Sequence, residues 1–184
     1  PSGGFIYQTI SRDIGCIAPN SIKDIPFTGL AFLSHKGVHA MKGFLEDSNS
    51  PTEIVNLSTP IKEIMDRLCV TASYGAVSCL NRNDKEYWLC VPTIGEKNNL
   101  LLVWHYEVGA WSIRNNYPMS CAIETRGAAT SVFFGSHDIR MPGIFVYTPF
   151  YRRKNEIGST VTIERQLPTD VRKSILDYPV YETV

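Results

Sequence analysis

The sequence predicts an all-β, mainly antiparallel protein built of propeller-like sheets with one short α-helix. Residues 100–114 and 130–147 each hold two short apolar runs, rich in Val, Phe, Tyr and Trp, that are joined by turn residues. Such pairs are typical of β-hairpins, and repeated hairpins favour a sandwich, barrel or propeller. Residues 100–104 are apolar at every position, which predicts a strand that is covered on both faces. Sheets stacked face to face, as propeller blades are, provide that environment.

The first part of the chain is predicted to contain strands and one long loop. Strands are expected at residues 5–12, 21–25, 29–33 and 37–41. Gly15 and Pro19 interrupt the chain between the first two, and residues 34–37 form the turn of a hairpin between the last two. Residues 46–57 are predicted as a loop, because Asp, Ser, Asn, Ser and Pro follow one another there.

One helix is predicted near residues 59–70. Thr59 can cap its start through the side-chain hydroxyl, and Pro60 suits the first helical position. Apolar residues then recur at helical spacing and form one face for packing against the core, namely Ile61, Ile64, Met65 and Leu68.

The rest of the chain returns to strands. They are expected at residues 74–80, 86–91, 100–106, 110–113, 120–124, 131–135, 144–148 and 160–165. The hairpin of residues 29–38 is similar in pattern to residues 131–147. Both contain an apolar strand, then Ser-His with a charged residue, then glycine and a second apolar strand. A repeated hairpin is the expected unit of a propeller.

Length and charge limit the classes of function. The 184 residues fit a single domain over residues 1–184, or a fragment of one. The 18 basic and 18 acidic residues cancel, so strong attraction of the whole chain to nucleic acid or acidic membranes is not expected. No apolar run reaches the roughly 20 residues that span a bilayer. The start, Pro-Ser-Gly-Gly without Met, leads us to expect a processed chain or an internal part of a longer polypeptide.

The five cysteines indicate reduced thiols. They are odd in number, none is spaced as Cys-x-x-Cys, and each lies in or beside an apolar stretch. We predict that they are buried and act as small hydrophobic side chains. This usage favours assembly in a reducing cytoplasm.

No pattern in the sequence predicts catalysis, a cofactor or a metal site. His35 and His39 would share a strand face if Gly37 did not make a turn, and no third ligand is evident. Ser136, His137 and Asp138 have the residue types of a hydrolase triad, but adjacent strand residues point in opposite directions. The chain is therefore predicted not to be an enzyme.

One basic run is the candidate contact site. Arg152, Arg153 and Lys154 follow Pro149 and are interpreted as a partner or phosphate contact, with a solvated loop as the alternative. The three tryptophans, Trp88, Trp104 and Trp111, lie within strand patterns. We interpret them as core anchors between strands or sheets and not as stacking platforms for bases or sugars.

The order of these patterns resembles a known protein family. The matching segments are residues 14–22, 29–43, 59–64, 103–106 and 109–112. This order is similar to that of the β-propeller tail proteins of short-tailed bacteriophages, of the packaged-DNA stabilisation or tail-hub type and the tubular nozzle type. The resemblance covers residues 14–147, and its known members are considerably longer than this chain.

The resemblance implies a bacteriophage virion structural protein of the tail or connector, with no catalytic residues to carry over. It would be assembled in the host cytoplasm into a ring that retains packaged DNA and forms part of the ejection channel. Its partners would be copies of itself and neighbouring tail or connector proteins, with transient, non-specific contact to DNA. Two alternatives stay open: a propeller-type carbohydrate-binding or carbohydrate-active module, and a general protein-interaction propeller.

Overall fold

The computed structural model describes residues 9–42, 52–93, 95–125, 131–140 and 142–147, which form three antiparallel sheets. Sheet A contains β1 (Lys23–Ile25), β2 (Gly29–Ser34), β3 (Gly37–Lys42) and β4 (Glu53–Asn56). Sheet B contains β5 (Val77–Asn81), β6 (Glu86–Val91), β7 (Leu100–His105) and β8 (Ala110–Asn115). Sheet C contains β9 (Met119–Thr125), β10 (Ser131–Ser136) and β11 (Gly143–Tyr147).

Each sheet is a meander in which strands that follow one another along the chain lie side by side. Short turns make this arrangement possible, since antiparallel neighbours can be joined by a few residues. The turn between β2 and β3 consists of His35 and Lys36, and Gly37 after it has a φ of 116°. A Cβ atom at Gly37 would lie 2.2 Å from Ser58 Oγ, so this turn requires glycine. The prediction of a mainly antiparallel all-β protein is confirmed.

Sheet B lies between the other two sheets and is covered on both faces. The first interface, between sheets A and B, contains Leu100, Leu102 and Trp104 of β7. The second interface, between sheets B and C, contains Leu101 and Val103 of the same strand. Successive side chains of a strand point to opposite faces, so both halves of this apolar run are buried. The prediction that residues 100–104 form a strand covered on both faces is confirmed.

The first strands of the three sheets lie next to one another. Ser78 on β5 donates a hydrogen bond of 2.8 Å to the carbonyl of Asn20, just before β1. Arg82, just after β5, donates its backbone N–H to Glu124 Oε1 on β9 at 2.8 Å. Strand β5 is therefore flanked by β1 on one side and β9 on the other. The three sheets spread outward from this row of first strands.

The repeated hairpin of the sequence has a structural counterpart. Strands β2 and β3 are the second and third strands of sheet A, and β10 and β11 hold the same places in sheet C. Ser34 Oγ accepts the backbone N–H of Lys36 at 3.0 Å, and Ser136 Oγ accepts that of Asp138 at 3.0 Å. The two Ser-His turns thus begin with the same local hydrogen bond.

The helical segment begins where predicted but contains less α-helix. A 3₁₀ turn spans Thr59–Ile61 and one α-helical turn, α1, spans Lys62–Met65. The expected cap is wrong, because Thr59 makes no capping bond and Ser58 Oγ instead accepts the N–H of Val38 at 3.0 Å. The predicted apolar face does pack against the first interface, with Ile61 buried and three residues partly buried, namely Ile64, Met65 and Leu68.

Some strand boundaries differ from the predictions. Of the strand predicted at residues 5–12, residues 9–12 are not a strand and residues 5–8 lie outside the described residues. A 3₁₀ turn, Val70–Gly75, occupies the start of the strand predicted at residues 74–80. The predicted loop at residues 46–57 contains β4, whose Val55 pairs with Ala40 and packs on the core. The polar run of residues 47–51 was extended too far in the prediction, because Ile54 and Val55 are β-branched residues that favour a strand. The strand predicted at residues 160–165 lies outside the described residues.

Two of the three tryptophans are buried as predicted. Trp88 is fully buried in the second interface and Trp104 is buried in the first. Trp111 is half-buried beside Trp104, at 5.1 Å between ring centroids, and its Nε1 donates to the Leu57 carbonyl at 2.8 Å. Trp111 lies on the edge strand β8, which explains its partial exposure.

Candidate functional site

The main polar cluster of the described residues surrounds Glu86, the first residue of β6. Register places Glu86 directly opposite Asn81 on β5 and His105 on β7. Its carboxylate accepts Trp88 Nε1 at 2.6 Å and Asn81 Nδ2 at 3.3 Å. The side chain of Glu86 is only 6% exposed, so it is almost completely removed from solvent.

Two cationic or polar groups complete the surroundings of Glu86. Arg114 Nη2 on β8 lies 3.8 Å from Glu86 Oε1, and His105 Nδ1 lies 3.5 Å from the same oxygen. His105 is oriented by its other ring nitrogen, which lies 2.9 Å from Ser112 Oγ. A buried carboxylate requires such partners, because an unpaired charge out of water is very costly.

Arg114 also connects sheet B with sheet C. Its guanidinium lies 5.5 Å from the ring centroid of Trp88 and 5.8 Å from that of Tyr147 on β11. The rings of Trp88 and Tyr147 meet edge to face at 4.7 Å. Burial raises the pKa of Tyr147, as it does that of nearby Tyr117. The cation and the two rings therefore fasten the second interface by cation–π and ring contacts.

This cluster holds a charge inside the protein and does not expose a reactive group. The Glu86 oxygens are already engaged by Trp88, Asn81, His105 and Arg114. A general acid or base needs access to a substrate proton, and here the carboxylate is enclosed. We interpret the cluster as a positioning device for sheet C. One sequence signal could have found it, since Glu86 is the charged first residue of a strand, Glu86–Val91, whose other residues are apolar or aromatic.

A second ion pair lies on the same side of sheet B. Arg82 forms a salt bridge with Glu124 of β9, whose side chain is 6% exposed. Together with Arg114, this pair gives two charged connections between sheets B and C. Sequence analysis assigned no role to Glu86, Arg114, Arg82 or Glu124, because each pair is formed by residues that are distant in the chain.

The structure does not bring Ser136, His137 and Asp138 together as a triad. Ser136 Oγ accepts a backbone N–H, and the Asp138 carboxylate binds the guanidinium of Arg140 at 3.0 Å. That hydrogen bond from Arg140 lowers the pKa of Asp138, whereas partial burial lowers the pKa of His137. The carboxylate that would orient the histidine is thus engaged elsewhere.

The two histidines of the β2–β3 hairpin also point apart. His35 is exposed in the turn, whereas His39 is buried in β3 with its Nδ1 3.0 Å from Ser34 Oγ. Burial lowers the pKa of His39. Within the part of the chain that the structure describes, no group of three or more His, Cys, Asp or Glu side chains is arranged to hold a metal ion.

The cysteine prediction is only partly correct. Cys79 and Cys90 are buried in the second interface, and burial raises the pKa of their thiols to about 11 and about 12. Cys69 is half-buried, and Cys16 and Cys121 are exposed free thiols. Cys16 precedes the first 3₁₀ turn, and Cys121 points away from the core of sheet C. An apolar neighbourhood in sequence did not determine which face each residue would occupy.

The predicted contact residues, Arg152, Arg153 and Lys154, lie outside the described residues. Their interpretation as a partner or phosphate contact stays a prediction.

The two ends of the stack of sheets differ in exposure, and the sheet C end presents an exposed apolar face. The outer face of sheet C is formed by residues that point away from sheet B, namely Cys121, Ile123, Phe133, Ile144 and Val146. The outer face of sheet A is largely covered, because Phe32 and His39 on it are buried. A groove of about 370 Å³ beside this face is lined by side chains of sheet A, such as Leu30 and Met41, and by residues of the segment 9–16. Exposed contiguous apolar surface marks contact sites, so the outer face of sheet C is the candidate interaction surface.

Comparison with known proteins leaves the family resemblance without further support: neither a protein-family model nor a curated protein matches the chain. Among the described residues, no helix has both the length and the apolar character needed to cross a membrane.

Proposed function

We propose that this chain is a structural protein of a bacteriophage tail or connector, built of propeller blades. It would assemble into a ring that retains packaged DNA and forms part of the ejection channel. Its partners would be its own copies and neighbouring tail proteins, with transient contact to DNA, and its place would be the virion after assembly in the host cytoplasm. The proposal includes no enzymatic turnover.

The arrangement of the sheets is the observation that carries this proposal. Three consecutive meanders are stacked in chain order, and their first strands, β1, β5 and β9, lie side by side. Blades of a propeller are four-stranded sheets arranged around a central channel. Sheets A and B each have four strands in sequential order, as such blades require.

The buried aromatic rings favour assembly over the carbohydrate module. A sugar-binding surface needs exposed aromatic rings beside carboxylates, whereas Trp88 and Trp104 are buried between sheets. The large exposed side chains of sheet C are aliphatic, with Ile123, Ile144 and Val146 on its outer face. Aliphatic faces of this kind suit protein–protein contact.

The decisive experiment is electron microscopy of the full-length gene product with mass spectrometry of purified phage particles. We expect rings in the micrographs and peptides of this chain in the particles. Binding of the product to DNA-filled heads should slow DNA release, which nuclease protection measures. The proposal would be contradicted if the full-length product formed filaments or monomers instead of rings and was absent from the phage particles. Hydrolysis or retention of a glycan in a screen would favour the carbohydrate module instead.

A further inference from the structure

We infer that the C-terminal part of this chain covers the β10–β11 half of the outer face of sheet C. Residues 160–165 pair with β11 as a fourth strand, and residues 167–178 pack on the face beside it. Both segments belong to residues 148–184, which lie outside the described part of the chain. This cover does not depend on the proposed function, because it joins two parts of a single copy.

The outer face of sheet C is the counterpart of the inner face of sheet A. A Ser–Gly pair closes each hairpin, Ser34 with Gly37 in sheet A and Ser136 with Gly143 in sheet C. Both faces point the same way along the stack, because sheet A turns its face toward sheet B and sheet C turns its face away from sheet B. Counted from the closing pairs, the face residues Ala31, Leu33, Val38 and Ala40 correspond to Phe133, Gly135, Ile144 and Val146.

In sheet A, the segment that follows β4 helps to cover this face. Leu57 donates its backbone N–H to the Val38 carbonyl at 2.9 Å, directly beside the face. Ile61 is buried in the same cluster. Met65 packs at the end of the hairpin, where a Cβ atom on Gly37 would lie 3.8 Å from Met65 Cγ. Sheet B and this segment together keep the β2–β3 hairpin out of water.

The sequence after β11 repeats the pattern of that segment. Residues 160–163 are Thr-Val-Thr-Ile, a run of four β-branched residues that favours a strand. Two later positions differ: Pro168 takes the place of Ser58, so the Ser58 hydrogen bond has no counterpart, and Ser174 takes the place of Ile64. The apolar positions agree, since Leu167, Val171, Ile175 and Tyr178 have the spacing of Leu57, Ile61, Met65 and Leu68.

The edge of sheet C can accept the new strand. Strand β11 is the last strand of a three-stranded sheet, whereas sheets A and B each have four strands. An edge strand offers N–H and C=O groups for pairing with another strand. Alternation along a strand places Val161 and Ile163 on the same face as Leu167, which is the outer face beside Ile144. Arg165 falls on that face too, and at the edge of a sheet its guanidinium can reach water.

The exposure of the face shows that a cover is missing from the described residues. Val38 and Ala40 of sheet A are completely buried, whereas their counterparts Ile144 and Val146 are 79% and 44% exposed. Exposed branched aliphatic side chains are unfavourable in water, and the proposed segment removes that cost. Ile123 lies on the other side of β10 from β11 and stays available for the contacts of the proposed function.

An engineered disulfide tests the position of Leu167. Leu57 lies beside Val38 in sheet A, so Leu167 should lie opposite Ile144. Opposed residues of antiparallel strands have Cα atoms about 4.5–5.5 Å apart, which a disulfide can span. The variant Ile144→Cys with Leu167→Cys should therefore form an intramolecular disulfide in nearly all molecules under mild oxidation.

The disulfide test needs a suitable background and a matched control. The three cysteines that are not buried are first replaced, as Cys16→Ser, Cys69→Ser and Cys121→Ser. The control pairs Ile123→Cys with Leu167→Cys. Ile123 is on the same face, but β10 and β11 separate it from the proposed strand, so this pair should stay reduced. Mass spectrometry and non-reducing electrophoresis measure both variants.

Two neighbouring lysine variants test the packing of residues 167–178. Ile175 stands at the place of the partly buried Met65, whereas Leu176 stands at the place of the exposed Asp66. Ile175→Lys puts a charge on the covered face and should lower the melting temperature by at least about 4 °C. Leu176→Lys should leave the melting temperature within about 1 °C of wild type. A segment that does not pack would respond alike to both changes.

Four results would overturn the inference. They are no disulfide between positions 144 and 167, equal disulfide formation in the control, equal melting temperatures of the two lysine variants, and a disulfide that links two chains. The last result would mean that the segment covers the face of a second copy. An intramolecular disulfide in a chain whose full-length product is absent from phage particles refutes the proposed function but not the cover. Rings in virions without the disulfide do the reverse.

Discussion

The two interfaces of sheet B use the same strands but different chemistry. The first interface, with sheet A, is made of aliphatic and aromatic side chains such as Leu33, Leu89 and Leu102. The second, with sheet C, adds Glu86 and Arg114 to its apolar core. Apolar packing depends on area and fit and has no preferred direction. Charged contacts depend on geometry, and two of them cross to sheet C: the Arg82–Glu124 ion pair and the contact of Arg114 with the ring of Tyr147. The second interface therefore also specifies the position of sheet C.

The two buried tryptophans show this difference on neighbouring strands. Trp88 donates its Nε1 to Glu86 in the second interface. Trp104 packs in the first interface, and among the described residues its buried Nε1 has no hydrogen-bond partner. Both rings make apolar contacts, but only Trp88, in the second interface, also donates a hydrogen bond to a carboxylate. Variants of these residues can therefore separate the contribution of apolar packing to stability from the contribution of polar contacts.

The largest expected effect is common to both interfaces. Trp88→Ala and Trp104→Ala should each lower the free energy of unfolding by about 3–5 kcal/mol, because each removes a large buried ring. Trp111→Ala should cost less than Trp104→Ala, since Trp111 is only half-buried. Chemical denaturation measures all three. Near-wild-type stability of Trp88→Ala would mean that sheet C does not cover sheet B.

The next effect should be confined to the second interface. Glu86→Ala should destabilise the protein by about 3 kcal/mol, because it leaves Arg114 without its carboxylate and the buried Nε1 of Trp88 without its acceptor. Glu63→Ala on the exposed side of α1 is the control and should stay within about 0.5 kcal/mol of wild type. If Glu86→Ala and the wild type were equally stable in a urea titration, the polar contacts of Glu86 would not stabilise the second interface.

A smaller difference should separate the two tryptophan N–H groups. Trp88→Phe should destabilise the protein by about 1–2 kcal/mol more than Trp104→Phe. The first change deprives Glu86 of a 2.6 Å hydrogen bond, whereas the second removes an N–H that has no partner among the described residues. Thermal melts of the pair provide the measurement. A larger loss of stability for Trp104→Phe than for Trp88→Phe would show that the N–H of Trp104 makes the stronger hydrogen bond.

The smallest effect concerns alkaline pH. Burial in the second interface raises the pKa of Cys90 from 9.0 to about 12, so the folded protein holds this proton more tightly than the unfolded chain does. Stability from this group is therefore complete below about pH 9 and declines as the pH rises toward 12. Between pH 8 and 10 the wild type should lose about 1 kcal/mol more than Cys90→Ala. Identical pH profiles would show that Cys90 is solvated.

Much of the architecture could be predicted because it depends on local patterns. The boundaries of β6, residues 86–91, and the turn of the β2–β3 hairpin follow from apolar runs bounded by turn residues. The unbroken apolar run at residues 100–104 also predicted that both faces of β7 are covered. These features are set by side-chain alternation and turn chemistry within a few residues.

Features that depend on distant residues could not be predicted in this way. Strand β4 follows the polar run of residues 47–51, which hid the strand tendency of Ile54 and Val55, and its place at the edge of sheet A is set by the pairing of Val55 with Ala40. Helix α1 ends after Met65 despite an apolar pattern that continues to Leu68. Cys121 is exposed because it falls on the outer side of β9, where the pairing shifts register between Gly135 and Ser136. The position of β4 and the exposure of Cys121 depend on which strand lies beside which.

The sequence by itself determined that the chain is mainly antiparallel β-sheet and that its middle strands are buried on both faces, because periodicity and composition act locally. Only the tertiary structure decided that Glu86, Arg114 and Trp88 meet, and that the outer face of sheet C is left apolar and exposed. Those outcomes need sheets brought together over long distances in the chain. Their energies are set by burial and by paired charge, which exist only once the sheets are stacked.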